Sequence, residues 1–478
     1  MLRRPLFLLL LACAALTAGA ACRPGGPEEK PAQPERPRLA GTAKGWNVLF
    51  ITVDTLRADR LGAYGYKERA TSPRIDELLG GGVRFEQASA QRSSTWPSLA
   101  SLLTGLYPQA HGVVENGYGF PDDLPTLPKI LKGSGYRTGA FLSNMCQANH
   151  QGWDSFACSG GQDGKTIRRA LEWTQAQGGA GGQGESGKPF FLWVHLFGAH
   201  GPYYNGGDHA ARVLDPGYEG PVGPKKWMLN RIMSEKVALG PRDIRHLDAL
   251  YDAAVIGTDR LTASLLDGLR AAGKLDRTLI VFTADHGEEL YDHNGYLYHS
   301  CSVYQTGLHV PLGITAPGVL PAGARVPQTV EIIDVLPTVL GLLAVQAPAE
   351  MHGRSLVPYL ERPGEGGRGK PAFSEYGSTK IRTVVRDNWK LIQNPDGIDP
   401  VCIPDAPPGH YPIAEAELYD LAADPMETKN LAAERPEVVA ELSRLIQRRF
   451  AGIADRAKGQ DLPEELRKEL EALGYVAH

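Results

Sequence analysis

Three short apolar runs constrain the fold of this chain more than any other feature. Val48 to Val53, Phe190 to Phe197 and Leu279 to Thr283 are rich in β-branched and aromatic residues, and each is followed by polar or ionisable residues. Continuous apolar runs of this length read as strands buried on both faces, the pattern of a parallel sheet. Helical stretches separate them: one over Ser72 to Leu79, one beginning in Ser98 to Leu103, and a long one over Asp243 to Ala272 with apolar residues at helical spacing. Strands alternating with helices imply an α/β sheet covered on both faces. Ligands of such sheets sit beyond the carboxyl ends of the strands. Asp54, after the first run, and Asp285-His286, after the third, fall there.

The chain has 478 residues, enough for one large α/β domain and a smaller appendage. A hydrophobic content of 42% and a formal net charge of -4 describe an ordinary soluble globular protein, with no basic excess to point to nucleic acid. Near Val345 the pattern changes. Phe373 to Ile392 and Leu418-Tyr419-Asp420 suggest short antiparallel strands, and Pro436 to Leu473 is mostly helical. The expected layout is a catalytic domain over 45–345 and a C-terminal subdomain over 346–478. No role is argued for the Gly-rich insertion Gly178 to Gly187, read as a flexible surface segment.

The N-terminus reads as a targeting segment. Arg3 and Arg4 precede Leu6 to Ala21, an apolar run too short for a comfortable membrane span. Gly19-Ala20-Ala21-Cys22 resembles a bacterial lipobox, so residues 1–22 are expected to be a signal and 23–44, rich in Pro, Gly and charge, a flexible tether. The expected location is exported, periplasmic or at the cell surface, with a lipid anchor on Cys22 as the one membrane contact. Plain secretion is the open alternative. Export allows disulfides. Cys146 could pair with Cys158, and Cys301 with Cys402, or these could be buried free thiols; none has zinc-site spacing.

Ser93 to Val113 reads SSTWPSLASLLTGLYPQAHGV. It resembles the nucleophile segment of the sulfatase family, in the alkaline phosphatase superfamily, whose usual pattern is C-x-P-S-R, two variable residues, then L-L-T-G. Thr95 stands where that family has its cysteine, and Leu99 where it has an arginine. Other segments fit in the family's order: Asn47 to Tyr66, Leu279 to Gly287, Val310 to Leu312, Asp334 to Val345, Gly353 to Leu356, and Glu417 to Leu431. The resemblance implies an alkaline-phosphatase-like α/β sandwich: a large, mostly parallel sheet flanked by helices, then a smaller subdomain with a short antiparallel sheet and a terminal helix.

It also implies a site. Asp54, Asp285, His286 and the Thr95 hydroxyl would hold one divalent ion, because an anionic ester needs a cation to lower the nucleophile's pKa and neutralise the outer oxygens. Thr55 occupies the place of the family's second aspartate. Losing a carboxylate while keeping an imidazole favours zinc or manganese over calcium, which stays open. Thr95 is the expected nucleophile; a threonine before an apolar helix is also a routine N-cap. His200 and His299 match positions that contact the substrate anion or leaving group, and are candidate donors or general acids. His293, His309 and Asn144, the last near the place of a missing family lysine, are candidate substrate contacts, although either histidine could be structural.

The family's cysteine becomes formylglycine, whose sulfated hydrate ejects sulfate by collapsing to an aldehyde. A threonine has no such exit. The expected function is therefore a sulfatase-family hydrolase acting on a small-molecule, glycan or lipid-headgroup ester, with phosphoester or phosphodiester chemistry slightly favoured. The alternatives are arylsulfatase-like hydrolysis, a phosphoethanolamine-type transferase, and an inactive surface-anchored binding protein.

Overall fold

A computed structural model describes residues 38–145, 151–176, 187–203, 207–365, 367–377, 379–400, 412–453 and 456. The strands, in chain order, are β1 Asn47–Val53, β2 Val83–Ser89, β3 Arg137–Leu142, β4 Ser155–Cys158, β5 Phe190–Leu196, β6 Thr278–Ala284, β7 Glu289–Leu290, β8 Leu297–Tyr298, β9 His309–Thr315, β10 Ala324–Glu331, β11 Ala372–Glu375, β12 Arg382–Arg386, β13 Trp389–Gln393 and β14 Ala416–Asp420. An eight-stranded sheet runs β10-β2-β9-β6-β1-β5-β3-β4. All its pairings are parallel except those of β9, which is antiparallel to both β2 and β6.

The three apolar runs are the central strands β1, β5 and β6. Every residue of β5 and β6 is buried, as expected of strands covered on both faces. Val53 of β1 lies opposite Ala284 of β6, so Asp54 and Asp285 emerge side by side from adjacent carboxyl ends. Thr52 lies opposite His195 of β5. The helices Pro73–Gly80 and Asp163–Gln175 both pack against the long helix Pro241–Ala271.

The helix expected to begin at Ser98 begins three residues earlier and spans Thr95–Thr104, every residue buried. Proline fits the first helical turn, where its missing N–H is not needed, so Pro97 does not delay the start. Ser94, with extended backbone, is the N-cap residue, and Thr95 lies inside the first turn instead of capping it.

β11, β12, β13 and β14 form a second, antiparallel sheet, and the helix Pro436–Phe450 packs on β12 and β13. Phe373, Val384, Leu391, Leu418, Leu442, Ile446 and Phe450 make its core, with Tyr107 and Ile333 contributed by the larger sheet's connections. Asp334 accepts the backbone N–H of Arg354 at 2.6 Å, and the Thr338 hydroxyl accepts that of Leu356 at 2.7 Å. Those two bonds dock the Gly353–Leu356 segment on the helix Val335–Leu343.

Residues 38–44, expected to end a free tether, are packed. Leu39 and Ala43 are buried, and the Gly41 and Ala43 N–H groups donate to Gly341 and Leu342. Cys158 and Cys301 are disulfide-bonded, which excludes free thiols at those two positions. Cys22, Cys146 and Cys402, the targeting segment, most of the expected insertion, and residues 454–455 and 457–473 of the expected terminal helical stretch lie outside the described residues.

Candidate active site

The β1 exit turns sharply. Thr55 has φ 57°, left-handed backbone that β-branched residues rarely adopt, and a conformation held against strain tends to mark a functional turn. The turn aims the Thr55 N–H at Asp285 Oδ1 (3.2 Å), which also accepts the His286 N–H at 2.8 Å. Asp54 accepts a short hydrogen bond from the Asn144 side-chain amide, presented by the end of β3. Asn144 therefore meets the carboxylate expected to hold the ion, and that contact gives it work within the site's frame.

Thr95 reaches the same place from the head of its helix. Ser98 Oγ donates to the Asp285 carbonyl at 2.5 Å, pinning the helix to the end of β6. Asn116 Oδ1 accepts from the Trp96 N–H (2.8 Å) and from Ser94 Oγ (3.1 Å), satisfying the exposed end of the first turn. Thr95 Oγ1 then lies 3.3 Å from His286 Nε2, and the hydroxyl also hydrogen-bonds the Asp285 carboxylate.

His286 carries the argument for an ion. Its Nδ1 is 2.8 Å from the Gly287 carbonyl, which can only accept, so Nδ1 bears the proton and Nε2 presents a lone pair. That lone pair faces Asp54 Oδ1 at 3.6 Å and Asp285 Oδ2 at 3.5 Å. Both separations are too long for hydrogen bonds, and each is short enough for the two groups to share a cation between them. Burial drives His286 down to about 4 and Asp285 up to about 8, so both favour neutral forms without a cation. Among the described residues Asp54, His195 and Asp285, all buried, also bring ligand atoms within 4.8 Å of one another. The residues present fit a divalent ion.

A row of imidazoles extends from the hydroxyl. The His299 ring centroid is 4.6 Å from that of His286 and 4.8 Å from that of His200, which stacks on Phe197 at 4.5 Å. His299 Nδ1 meets Glu288 Oε2 at 2.9 Å across the β7–β8 hairpin. Burial pushes Glu288 up to about 8 and His299 down to about 3, so the pair is neutral at pH 7. In that state the glutamic acid donates to Nδ1, and the His299 proton sits on Nε2 as a donor. Behind the row, buried Arg57 bridges Asp59 (2.8 Å) and Asp292 (2.6 Å), tying the segment after β1 to the β7–β8 turn.

His293 and His309 have structural work instead of the substrate contact expected of them. His309 Nε2 bonds the Glu86 carbonyl at 2.9 Å, between β9 and β2. His293 Nδ1 meets Glu289 at 3.0 Å, Nε2 meets the Met426 carbonyl at 3.0 Å, and the ring stacks on Tyr304 at 3.8 Å. Both nitrogens are engaged in a seam to the C-terminal subdomain. Burial opposes the charge on His293, but the Glu289 carboxylate outweighs it and the ring is pushed up to about 9. A raised pKa contributes stability that is fully present below 6.5 and lost as pH rises through about 9. Urea unfolding should show this as a loss on the order of 2–3 kcal/mol between pH 6 and 9.5 that is absent in His293→Gln. Equal pH slopes for the two proteins would exclude the charged pair.

Reading the sequence missed His195, Glu288, Asn116 and Arg57. Glu288 lies within the FTADHGEE run, and Arg57 and Asp59 within LRAD, so both segments carried a signal. His195 and Asn116 carried none beyond residue type.

The sulfatase family's sequence profile matches residues 46–345, and that of the N-sulphoglucosamine sulphohydrolase C-terminal region matches 293–403. Arylsulfatase K of Bos taurus is 24% identical over 92% of this chain and 87% of its own length. A protein solved in complex with its substrate D-glucosamine-2-N,6-O-disulfate superposes with TM-score 0.65 at 22% identity, covering 90% of this chain and 99% of that one. The phosphonate monoester hydrolase of Agrobacterium radiobacter gives TM-score 0.63 at 20% identity, covering 85% and 95%. With the family profile covering most of the chain and the fold agreeing, the chain belongs to the sulfatase family, whose members are hydrolases acting on ester bonds.

Proposed function

We propose that this hydrolase cleaves an anionic ester through Thr95, with Asp54, Asp285 and His286 holding one divalent ion beside the hydroxyl. The observation that carries the reading is the Thr95 hydroxyl, 3.3 Å from a His286 lone pair that also faces two carboxylates. Such an ion would lower the hydroxyl's pKa and neutralise the ester's outer oxygens, and two carboxylates with an imidazole favour zinc or manganese.

The chain's own groups supply position. Ser98 and Asn116 fix the helix that presents Thr95. His299 and His200 extend from the nucleophile as partners for the substrate's oxygens. In the first step the Oγ–phosphorus bond forms as the bond to the leaving oxygen breaks. The proton lost from Thr95 is matched by one taken up on the departing oxygen, for which His299, with its proton on Nε2 and Glu288 behind Nδ1, is the candidate. His200, whose Nδ1–H is held by the Gly201 carbonyl, can only accept at Nε2. Water then attacks phosphorus, releasing phosphate and restoring the hydroxyl.

Phosphorus is favoured because a sulfated threonine has no aldehyde to collapse into. A sulfate ester is the second reading, favoured by the sulfatase relatives, and the neighbour solved with a sulfated glucosamine supports a sugar-borne ester as substrate. A panel of aryl sulfates, phosphate monoesters and phosphate diesters, assayed with zinc, manganese or calcium, separates them. Faster turnover of phosphate esters is expected; a wide preference for sulfates would overturn phosphorus and leave the threonine standing. The proposal includes export with lipidation at Cys22, which a mature N-terminus at another residue without an acyl adduct, seen by mass spectrometry, would exclude.

A further inference from the structure

His195 lies in β5, directly opposite Thr52 of β1 and one strand from the end of β6. It is fully buried, in a strand otherwise made of apolar residues. A buried imidazole in such a strand is normally satisfied at both nitrogens. Here one side is built: Nδ1 is 2.8 Å from Thr52 Oγ1, and that oxygen accepts the Trp193 Nε1–H at 2.9 Å. The other side is open, because His195 Nε2 is buried without a hydrogen-bond partner. His195 belongs to a group of three residues, with Asp54 and Asp285, whose ligand atoms lie within 4.8 Å of one another.

Across the same space the β1 turn lacks a donor oxygen that charge would favour. Thr55 follows Asp54 and uses its backbone N–H on Asp285, while its hydroxyl is buried without a partner. A threonine hydroxyl is neutral and a weak ligand beside a carboxylate. Thr55 therefore meets Asp285 through its backbone alone, while His195 is grouped with both aspartates.

We infer that His195 Nε2 is a further ligand of the divalent ion, supplying from β5 the donor that Thr55 does not supply from β1. This rests on the ion-binding reading above and extends it to selectivity. The ligand role requires the tautomer in which Nδ1–H donates to Thr52 Oγ1, an oxygen with a second lone pair beyond the one that accepts from Trp193, so that Nε2 is unprotonated. A set of two carboxylates and two imidazoles suits zinc, manganese or cobalt and disfavours calcium, which takes six to eight oxygens. The apolar walls of β5 and the rigid pairing of three central strands fix the donor before any ion arrives.

The test is ion binding by the chelator-treated full chain, independent of turnover. Zinc and calcium affinities are measured by calorimetry, and the cobalt(II) form by its visible absorption. His195→Ala should weaken zinc by more than about hundredfold, beyond the roughly 10–100-fold expected when only a partner that orients a ligand is lost. Calcium should change far less, and the cobalt bands should shift as one nitrogen donor goes. Thr52→Ala should fall in the roughly 10–100-fold range. Wild-type zinc affinity and an unchanged cobalt spectrum in His195→Ala would overturn the inference. Should that variant fail to fold, His195→Asp decides: a shift of preference toward calcium supports the ligand role, and retained zinc preference overturns it. Asp285→Ala separates the two readings. If wild type and Asp285→Ala alike bind no ion stoichiometrically, the ion-binding reading itself falls; if wild type binds zinc and only Asp285→Ala loses it, His195 alone is excluded.

Discussion

Thr95→Ala should lose catalysis by about a thousandfold or more in kcat while keeping its fold. The expectation follows from how little the substitution removes. A methyl and a hydroxyl go from the first turn of a helix whose hold on β6 comes from Ser98, and whose N-terminal N–H is satisfied by Asn116. Neither of those bonds involves the Thr95 side chain. The thermal midpoint and the stoichiometry of bound zinc should stay close to wild type, because Asp54, Asp285 and His286 remain. Thr95→Ser should keep part of the activity, since the oxygen survives and only the methyl that narrows its rotamers is lost. Burst kinetics with an activated phosphate ester would show the covalent step directly, and quenched protein should carry phosphate on Thr95. An alanine variant turning over at the wild-type rate would remove the nucleophile from the mechanism, whatever the ester.

Lys390→Ala should be the most destabilising single change outside the catalytic centre, costing about 3–5 kcal/mol. Lys390 in β13 and Glu427 in the loop after β14 pair at 2.6 Å, both with fully buried side chains. Glu427 also accepts the Gln305 N–H at 2.5 Å, and the Lys390 ammonium sits 5.8 Å from the Tyr304 ring centroid. Burial lowers the Lys390 pKa and raises that of Glu427, so each ion is held charged chiefly by the other. Removing the lysine leaves the buried carboxylate only the weaker attraction of His293, whose charge the Glu289 carboxylate already holds. The double variant Lys390→Met, Glu427→Gln should recover much of the loss, because a buried pair replaced by neutral side chains of similar size is often near neutral. Urea unfolding checks both, with the m-value confirming that a cooperative transition persists. A single variant within about 1 kcal/mol of wild type would mean that water or another cation already reaches Glu427.

These two positions show what a sequence reveals and what it withholds. The strand ends at Asp54 and Asp285-His286, and a helix close to Thr95, were legible because local pattern is enough to place the ends of such elements. The helix expected from Ser98 begins at Thr95, since a first turn tolerates Pro97. Glu427 stood inside the ELYDLAADPMETKNL signature, but nothing in that segment says it is buried. Its partner lies on another strand, and the two meet only when β13 pairs with β14, with Lys390 opposite Tyr419. Likewise His195 reads as one more buried residue of an apolar strand. Its chemistry depends on register with Thr52, which is a property of the sheet. For His293 the sequence leaves a substrate contact and a structural role equally open, because only the fold shows both nitrogens engaged by Glu289 and Met426.

Leu99 turns the threonine site into a one-way street. Where the wider family pattern places an arginine, this chain has a leucine that is fully buried in the main hydrophobic core. Exchanging Thr95 for cysteine is a small local change, but cysteine alone would not rebuild the cationic setting of a formylglycine enzyme. Restoring the arginine would drive a guanidinium into closely packed aliphatic side chains, at the cost of overpacking and of a charge without a partner. The easy reversal is chemically idle without the hard one, and the hard one is destabilising without compensating changes around it. Thr95→Cys alone should therefore yield a stable, poorly active protein, and an arginine at position 99 would be accommodated only by loosening the core beneath the helix.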